Sequence, residues 1–130
     1  MTWLVGVPYK LGGRGPDGLD CWGLCMAYYR ERGLLLGDVE YAENPATVEG
    51  DVFEANRGEE WTPVDDPQDG DLVLFGPNAA RIATHCGIYL APGRVLHAAS
   101  GRTSCVTPWR VMRRWATAIY RYSGVRVCQS

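Results

Sequence analysis

Apolar positions in this chain follow two different periods. In the first third, Cys21, Leu24, Cys25 and Tyr28 recur at i, i+3, i+4 and i+7, one stripe of a helix. Asp20 precedes the stripe as an N-cap, its carboxylate able to accept an otherwise orphaned amide, and Gly33 follows as the C′ residue. From Asp71 the pattern changes to short β-branched and aromatic runs between turn residues, which predict strands. These are Asp71–Phe75, Thr84–Leu90, Arg94–Ala99, Ser104–Thr107 and Trp115–Tyr122. A helix followed by an antiparallel meander gives an α+β fold. With 130 residues, 46% of them apolar, the chain reads as a single domain, 1–130, around one sizeable core.

Two stretches break the pattern. Pro8–Asp20 is dense in glycine and reads as a loop leading into the helix. Gly37–Gly70 reads as a long, acidic, mostly irregular excursion, with a short helix over Asp51–Arg57 ended by Gly58. Gly23 is out of place in a first helical turn, where glycine costs about 1 kcal/mol against alanine. A local violation of that kind marks a close backbone approach or a functional site.

Charge refines the picture. A formal net charge of −2 gives no reason to expect a nucleic-acid partner. Twelve of the fifteen acids fall between Asp38 and Asp71, where Arg57 is the single base, leaving twelve bases and three acids elsewhere. The acidic stretch is read as solvated or lying against the basic remainder; a basic face for an anionic wall polymer is the alternative. The N-terminus has no basic n-region and no run is long enough to span a bilayer. The expectation is a product made in the cytoplasm without a signal peptide and without membrane insertion. Five cysteines, an odd number, then argue against a disulfide framework.

The two histidines, His85 and His97, fall on neighbouring predicted strands around the turn Ala91-Pro92-Gly93. If the three-residue turn pairs Leu90 with Arg94, then Gly87 faces His97, and His85 and His97 are diagonal neighbours on one face. A one-residue slip would separate them onto opposite faces.

Cys21 in a first helical turn lies at the positive end of the helix dipole, which favours a thiolate. His85 beside it completes a thiolate–imidazolium pair, and His97 orients His85 through its second ring nitrogen. Backbone N–H groups at the helix start would stabilise an oxyanion. Two other readings of Cys21 stay open: plain packing, and a zinc site with Cys25 and one histidine, for which Cys-x3-Cys is a loose spacing.

The motifs together resemble a known family. Pro8-Tyr9-x-x-Gly12-Gly13, then Gly18-Leu19-Asp20-Cys21-Trp22-Gly23-Leu24, is similar to the nucleophile motif of NlpC-type cell-wall peptidases. Gly70–Phe75, His85–Leu90 and Val95–Ala98 are similar to that family's base and orienter strands. The resemblance runs from Pro8 to about Ala99. It implies a compact papain-like fold, no cofactor or metal, and hydrolysis of peptidoglycan stem peptides, usually between the γ-carboxyl of D-glutamate and a diamino acid. It implies Cys21 as nucleophile, His85 as general base and acid, His97 as orienter, and Tyr9 helping at the oxyanion site. Asp20 would face the substrate's free amine while capping the helix. Trp22 stands where many members carry a substrate-contacting Ser. The form Gly-Arg-Gly-Pro-Asp-Gly-x-Asp-Cys-Trp-Gly-Leu resembles the branch found among tailed-phage and gene-transfer-agent tail genes, which implies tail-protein partners and a place in a phage-like tail.

The remaining residues have plain readings. Cys25 and Cys86 are core; Cys105 and Cys128 carry no motif. Trp3, Trp61, Trp109 and Trp115 are core or interface aromatics, and Arg110, Arg113 and Arg114 form a solvated face.

Overall fold

The computed structural model describes residues 4–15, 17–34, 61–76, 85–99 and 101–122. A two-stranded pair, β1 (Arg14–Gly15) and β2 (Gly18–Leu19), leads into helix α1 (Cys21–Glu31). Strands β3 (Trp61–Pro63), β4 (Leu72–Phe75), β5 (His85–Leu90), β6 (Arg94–His97) and β7 (Cys105–Pro108) follow. Then come helix α2 (Trp109–Met112), a 3-10 turn at Arg113–Trp115, and strand β8 (Ala116–Tyr122). β3 to β8 form one antiparallel sheet in the order β3-β8-β4-β5-β6-β7. The architecture is α+β, as the two periods imply.

The sheet has an apolar cluster on each face. Cys86, Ile88, Leu90, Leu96 and Ala98 pack with Leu24, Cys25 and Tyr28 of α1, while Val73, Phe75, Tyr89, Val95 and Ile119 pack with Met112 of α2. α1 is buried beyond its single predicted stripe, since Trp22, Gly23, Ala27 and Tyr29 are buried too. Its C-cap is Arg32, and Gly33 follows at φ 81°, a left-handed conformation that glycine adopts without strain.

The structure corrects the plain meander. Only β4 to β7 run in chain order; β8 returns to the free edge of β4 and carries β3 on its far side. The physical reason lies in Leu72-Val73-Leu74-Phe75, buried at every position. Such a strand is central and needs hydrogen-bond partners on both edges. β3 falls inside the stretch read as irregular. Three residues are too few to show a period, but Trp61 pairs with Tyr122 and packs its ring 4.8 Å from it and 5.7 Å from Tyr29. β1 and β2 likewise fall inside the predicted loop, and α2, at four residues, carried no periodic signal.

Residues 37–60 of the acidic excursion, with the helix expected at Asp51–Arg57, lie outside the described residues, as do Trp3, Thr84 and Cys128. Two described acids do meet bases of the remainder. Arg121 holds buried Asp71 with two bonds, at 3.0 and 2.8 Å, and Arg32 reaches Asp69 at 3.4 Å. Trp61 is buried, Trp109 packs edge-on to Tyr89, and Trp115 is exposed under the Arg114 guanidinium. No helix among the described residues is long and apolar enough to cross a membrane.

Candidate active site

The glycine-rich approach loop is folded around one carboxylate. Asp20 is fully buried and caps α1: Oδ1 accepts from the Gly23 amide at 2.7 Å and from Arg14 Nη1 at 2.8 Å, and Oδ2 accepts from the Gly12 amide at 2.9 Å. Arg14 Nη1 also donates to the Gly13 carbonyl at 2.8 Å. The loop therefore crosses directly over the first helical turn. A Cβ at Gly23 would collide with the Gly13 carbonyl oxygen, which is why glycine occupies this helical position. Cys21 is the first residue of the helix so anchored and is 7% exposed.

The hairpin adopts the register that the short turn dictates: Leu90 opposite Arg94, Tyr89 opposite Val95, Gly87 opposite His97. Gly87 leaves the space His97 needs, since a Cβ there would stand 2.9 Å from the Leu96 carbonyl oxygen and 3.1 Å from His97 Cβ. His85 Nε2 lies 3.0 Å from His97 Nδ1, with the rings edge to face. On its other side, His97 Nε2 lies 2.9 Å from Thr107 Oγ1. With Nε2 of His85 occupied, Nδ1 is left for the thiol, and Cys21 hydrogen-bonds to the His85 ring.

Cys21 and His85 reach this contact from different layers. Cys21 packs with the helix-side cluster, whereas His85 stacks toward Phe75 of the opposite cluster, ring centroids 5.9 Å apart. They meet where the β5–β6 ladder has ended at Gly87–His97. Cys86, one residue on, points into the helix-side core.

The electrostatics suit general-base chemistry. Tyr9 is half-buried against the core; burial, then the nearby Cys21 and Asp20, push its hydroxyl up to about 12, so it remains a donor. Burial, followed by the charge on Arg102, lowers the pKa of His97, which keeps that ring neutral and able to accept from His85. At Cys21, the hydrogen-bonded Cys86 thiol and burial push the pKa well up, while the His85 contact pulls it down. The raising influences favour the protonated thiol at Cys21, with the His85 ring in hydrogen-bonding contact. Removing the largest raising influence should move Cys21 the other way. Cys86→Ala is expected to shift Cys21 alkylation by iodoacetamide to lower pH, read by peptide mapping across a pH series. An unchanged profile would show that Cys86 does not tune the nucleophile.

Two residues depart from the roles the resemblance implied, and a third, read as carrying no motif, stands beside His97. Trp22 does not line the site; it is 3% exposed and packs in the helix-side core. Asp20 has no exposed surface for a substrate amine, because its oxygens serve the loop and the cap. Cys105 is not idle, since its Sγ lies 3.6 Å from His97 Nε2 and 3.8 Å from Thr107 Oγ1. Cys25 is core, its Sγ 3.7 Å from that of Cys86, and Cys21, Cys25, Cys86 and Cys105 are all free thiols. No group of three His, Cys, Asp or Glu side chains among the described residues is placed to hold a metal.

Sequence reasoning missed Thr107, Arg14 and the contact of Cys86 with Cys21. Thr107 was open to discovery: pairing His97 with Cys105 puts residue 107 diagonal to His97 on the same face. Arg14 carried no signal, because a loop has no register from which to infer partners.

A cysteine opening a helix, an imidazole on an adjoining sheet and a second polar ring behind it define a papain-like, cysteine-peptidase type of site. The chain belongs to the NlpC/P60 family, whose model matches residues 6–122. It is 36% identical over 101 residues to a probable endopeptidase of Corynebacterium glutamicum, covering 76% of this chain and 40% of that protein. It is 30% identical over 97 residues to the gamma-D-glutamyl-L-lysine dipeptidyl-peptidase of Bacillus subtilis, covering 74% of this chain and 29% of that protein. Among solved structures, the peptidoglycan hydrolase RipB of Mycobacterium tuberculosis superposes with a TM-score of 0.60 at 23% identity, over 98% of this chain and 60% of that one. The chain thus spans two fifths or less of the length of these curated relatives.

Proposed function

We propose that this chain is a cysteine peptidase that hydrolyses peptidoglycan stem peptides, at the bond between the γ-carboxyl of D-glutamate and a diamino acid. The observation that carries the reading is the 3.0 Å contact of His85 Nε2 with His97 Nδ1 behind the Cys21–His85 hydrogen bond. Cys21 Sγ attacks the peptide carbonyl as its proton passes to His85 Nδ1. The protonated His85 gives that proton to the departing amine, leaving a thioester on Cys21. Water, deprotonated by His85, then cleaves the thioester and restores the thiol. Tyr9, held as a donor, and the first amides of α1 would face the oxyanion. The choice of bond is supported by the name of the Bacillus subtilis relative.

The test is digestion of purified peptidoglycan with product mass spectrometry. Fragments ending at the γ-carboxyl of D-glutamate, each matched by a new amine on the diamino acid, are expected. New sugar reducing ends or released D-alanine alone would sink the reading.

A place in a phage or gene-transfer-agent tail, opening the wall during genome entry, is part of the same proposal. Its support is the Gly13–Leu24 form of the nucleophile loop. A second reading, a tail-tip assembly module whose site is dispensable, is favoured by the 7% exposure of Cys21 and its protonated resting state. Comparing wall digestion by the isolated chain and by intact particles, with and without Cys21→Ala, separates them.

A further inference from the structure

His97 can serve His85 in only one of its two neutral forms. For His85 Nδ1 to accept the Cys21 proton, His85 must carry its own proton on Nε2. That N–H points at His97 Nδ1, 3.0 Å away, so His97 Nδ1 must be the bare nitrogen. His97 must then be protonated at Nε2, and something must accept that N–H. The same histidine with its proton on Nδ1 would turn His85 around and aim an N–H at the thiol instead of a lone pair.

We propose that Thr107 is a positioning residue that locks His97 in the Nε2–H tautomer and so sets the direction of the whole relay. This rests on the proposed cysteine-peptidase reading. Thr107 Oγ1 lies 2.9 Å from His97 Nε2. A hydroxyl can accept or donate there, and the neighbour decides which. Cys105 Sγ lies 3.8 Å from Thr107 Oγ1, a contact in which either atom could be the donor, and at 3.6 Å from His97 Nε2 it is the more distant of the two neighbours of that nitrogen; a Thr107 hydroxyl turned toward Cys105 leaves an oxygen lone pair for His97. Both residues are placed by register alone. Cys105 stands directly opposite His97 across the β6–β7 ladder, and Thr107 follows two residues on, on the same face. His97 itself is buried at 7% exposure, so solvent is a poor substitute for that acceptor. The donors in order are then Cys21, His85 and His97, with Thr107 accepting from the last of them.

The test combines kinetics with a spectroscopic readout that needs no substrate. In wild type, long-range proton–nitrogen correlation spectra at neutral pH should show His97 protonated at Nε2. Thr107→Val should show a mixture of tautomers, and Thr107→Ser should restore the single form. With peptidoglycan, Thr107→Val should lower kcat on the order of 10–100-fold at unchanged KM, the scale expected when an outer hydrogen-bond partner of a functional histidine is lost. Thr107→Ser should recover most of it. Wild-type His97 protonated at Nδ1 would overturn the proposal, as would full kcat in a folded Thr107→Val. A wild type that leaves peptidoglycan intact while His97 shows the Nε2–H form would count against the peptidase reading and leave the positioning role standing. Should Thr107→Val fail to fold, the wild-type and Thr107→Ser spectra still decide the tautomer.

Discussion

Cys21→Ala is expected to abolish stem-peptide hydrolysis, lowering the rate by about 10,000-fold or more while the fold is kept. The size follows from what the thiol does. Every covalent step of the proposed mechanism passes through Sγ, and no other thiol among the described residues can replace it. Cys25 and Cys86 are turned into the helix-side core, and Cys105 sits beyond His97. The fold should survive, because the substitution removes one sulfur at the helix start and leaves the Asp20 cap intact. A change in stability within about 1 kcal/mol is expected. Fragment release by chromatography and a thermal melt measure the two halves. Retained hydrolysis in Cys21→Ala would refute the mechanism outright. His85→Ala should cost nearly as much, and the double variant little more than either, since the two act as a unit. Activity should also fall away in acid. His97 must be neutral to accept from His85, and burial holds its pKa below the ordinary 6.5. The loss attributable to His97 therefore sets in as the pH falls through that lowered value.

Asp20→Ala carries the largest expected effect on stability, a loss of about 3–5 kcal/mol, the range for removing one partner of a buried ion pair. Three donors converge on this carboxylate: the Gly12 amide, the Gly23 amide and the Arg14 guanidinium. Without it the first helical turn loses its cap, the loop loses its anchor, and the guanidinium remains over the positive end of α1. In a domain of this size that corresponds to a fall in Tm of roughly 10–20 °C. Asp20→Asn, which keeps an oxygen for Gly23, should lose less, and adding Arg14→Ala to Asp20→Ala should recover part of the loss. Thermal melts of wild type and these three variants measure this. An unchanged Tm with a raised KM for Asp20→Ala would instead return this residue to the substrate amine.

The class of fold and the core of the site were legible because they depend on short-range rules. The helix was visible in the spacing from Cys21 to Tyr28 and in the cap and C′ glycine that bracket it. The pairing of His85 with His97 was visible because a three-residue turn leaves a hairpin little choice of register, and register fixes which side chains share a face. Gly23 announced a close approach by its low helix propensity, and the Gly13 carbonyl proves to be what approaches.

What the sequence could not carry were contacts between segments with no register linking them. Strand β8 belongs beside β4 only because Leu72–Phe75 is buried on both faces, a fact of packing that its own period does not reveal. Trp22 occupies a position from which substrate contact was expected, but α1 is buried around more of its circumference than one stripe, so the ring goes into the core. The local pattern made Asp20 a cap; only the folded loop surrounded it with three donors and closed it to solvent. The sequence alone determined that Cys21 opens a helix and that His85 and His97 share a face, because helix caps and hairpin registers are local. The tertiary structure decided how those residues are held, because Thr107, Arg14 and Cys86 are brought to the site by packing across the chain, where burial and hydrogen-bond satisfaction outweigh local preference.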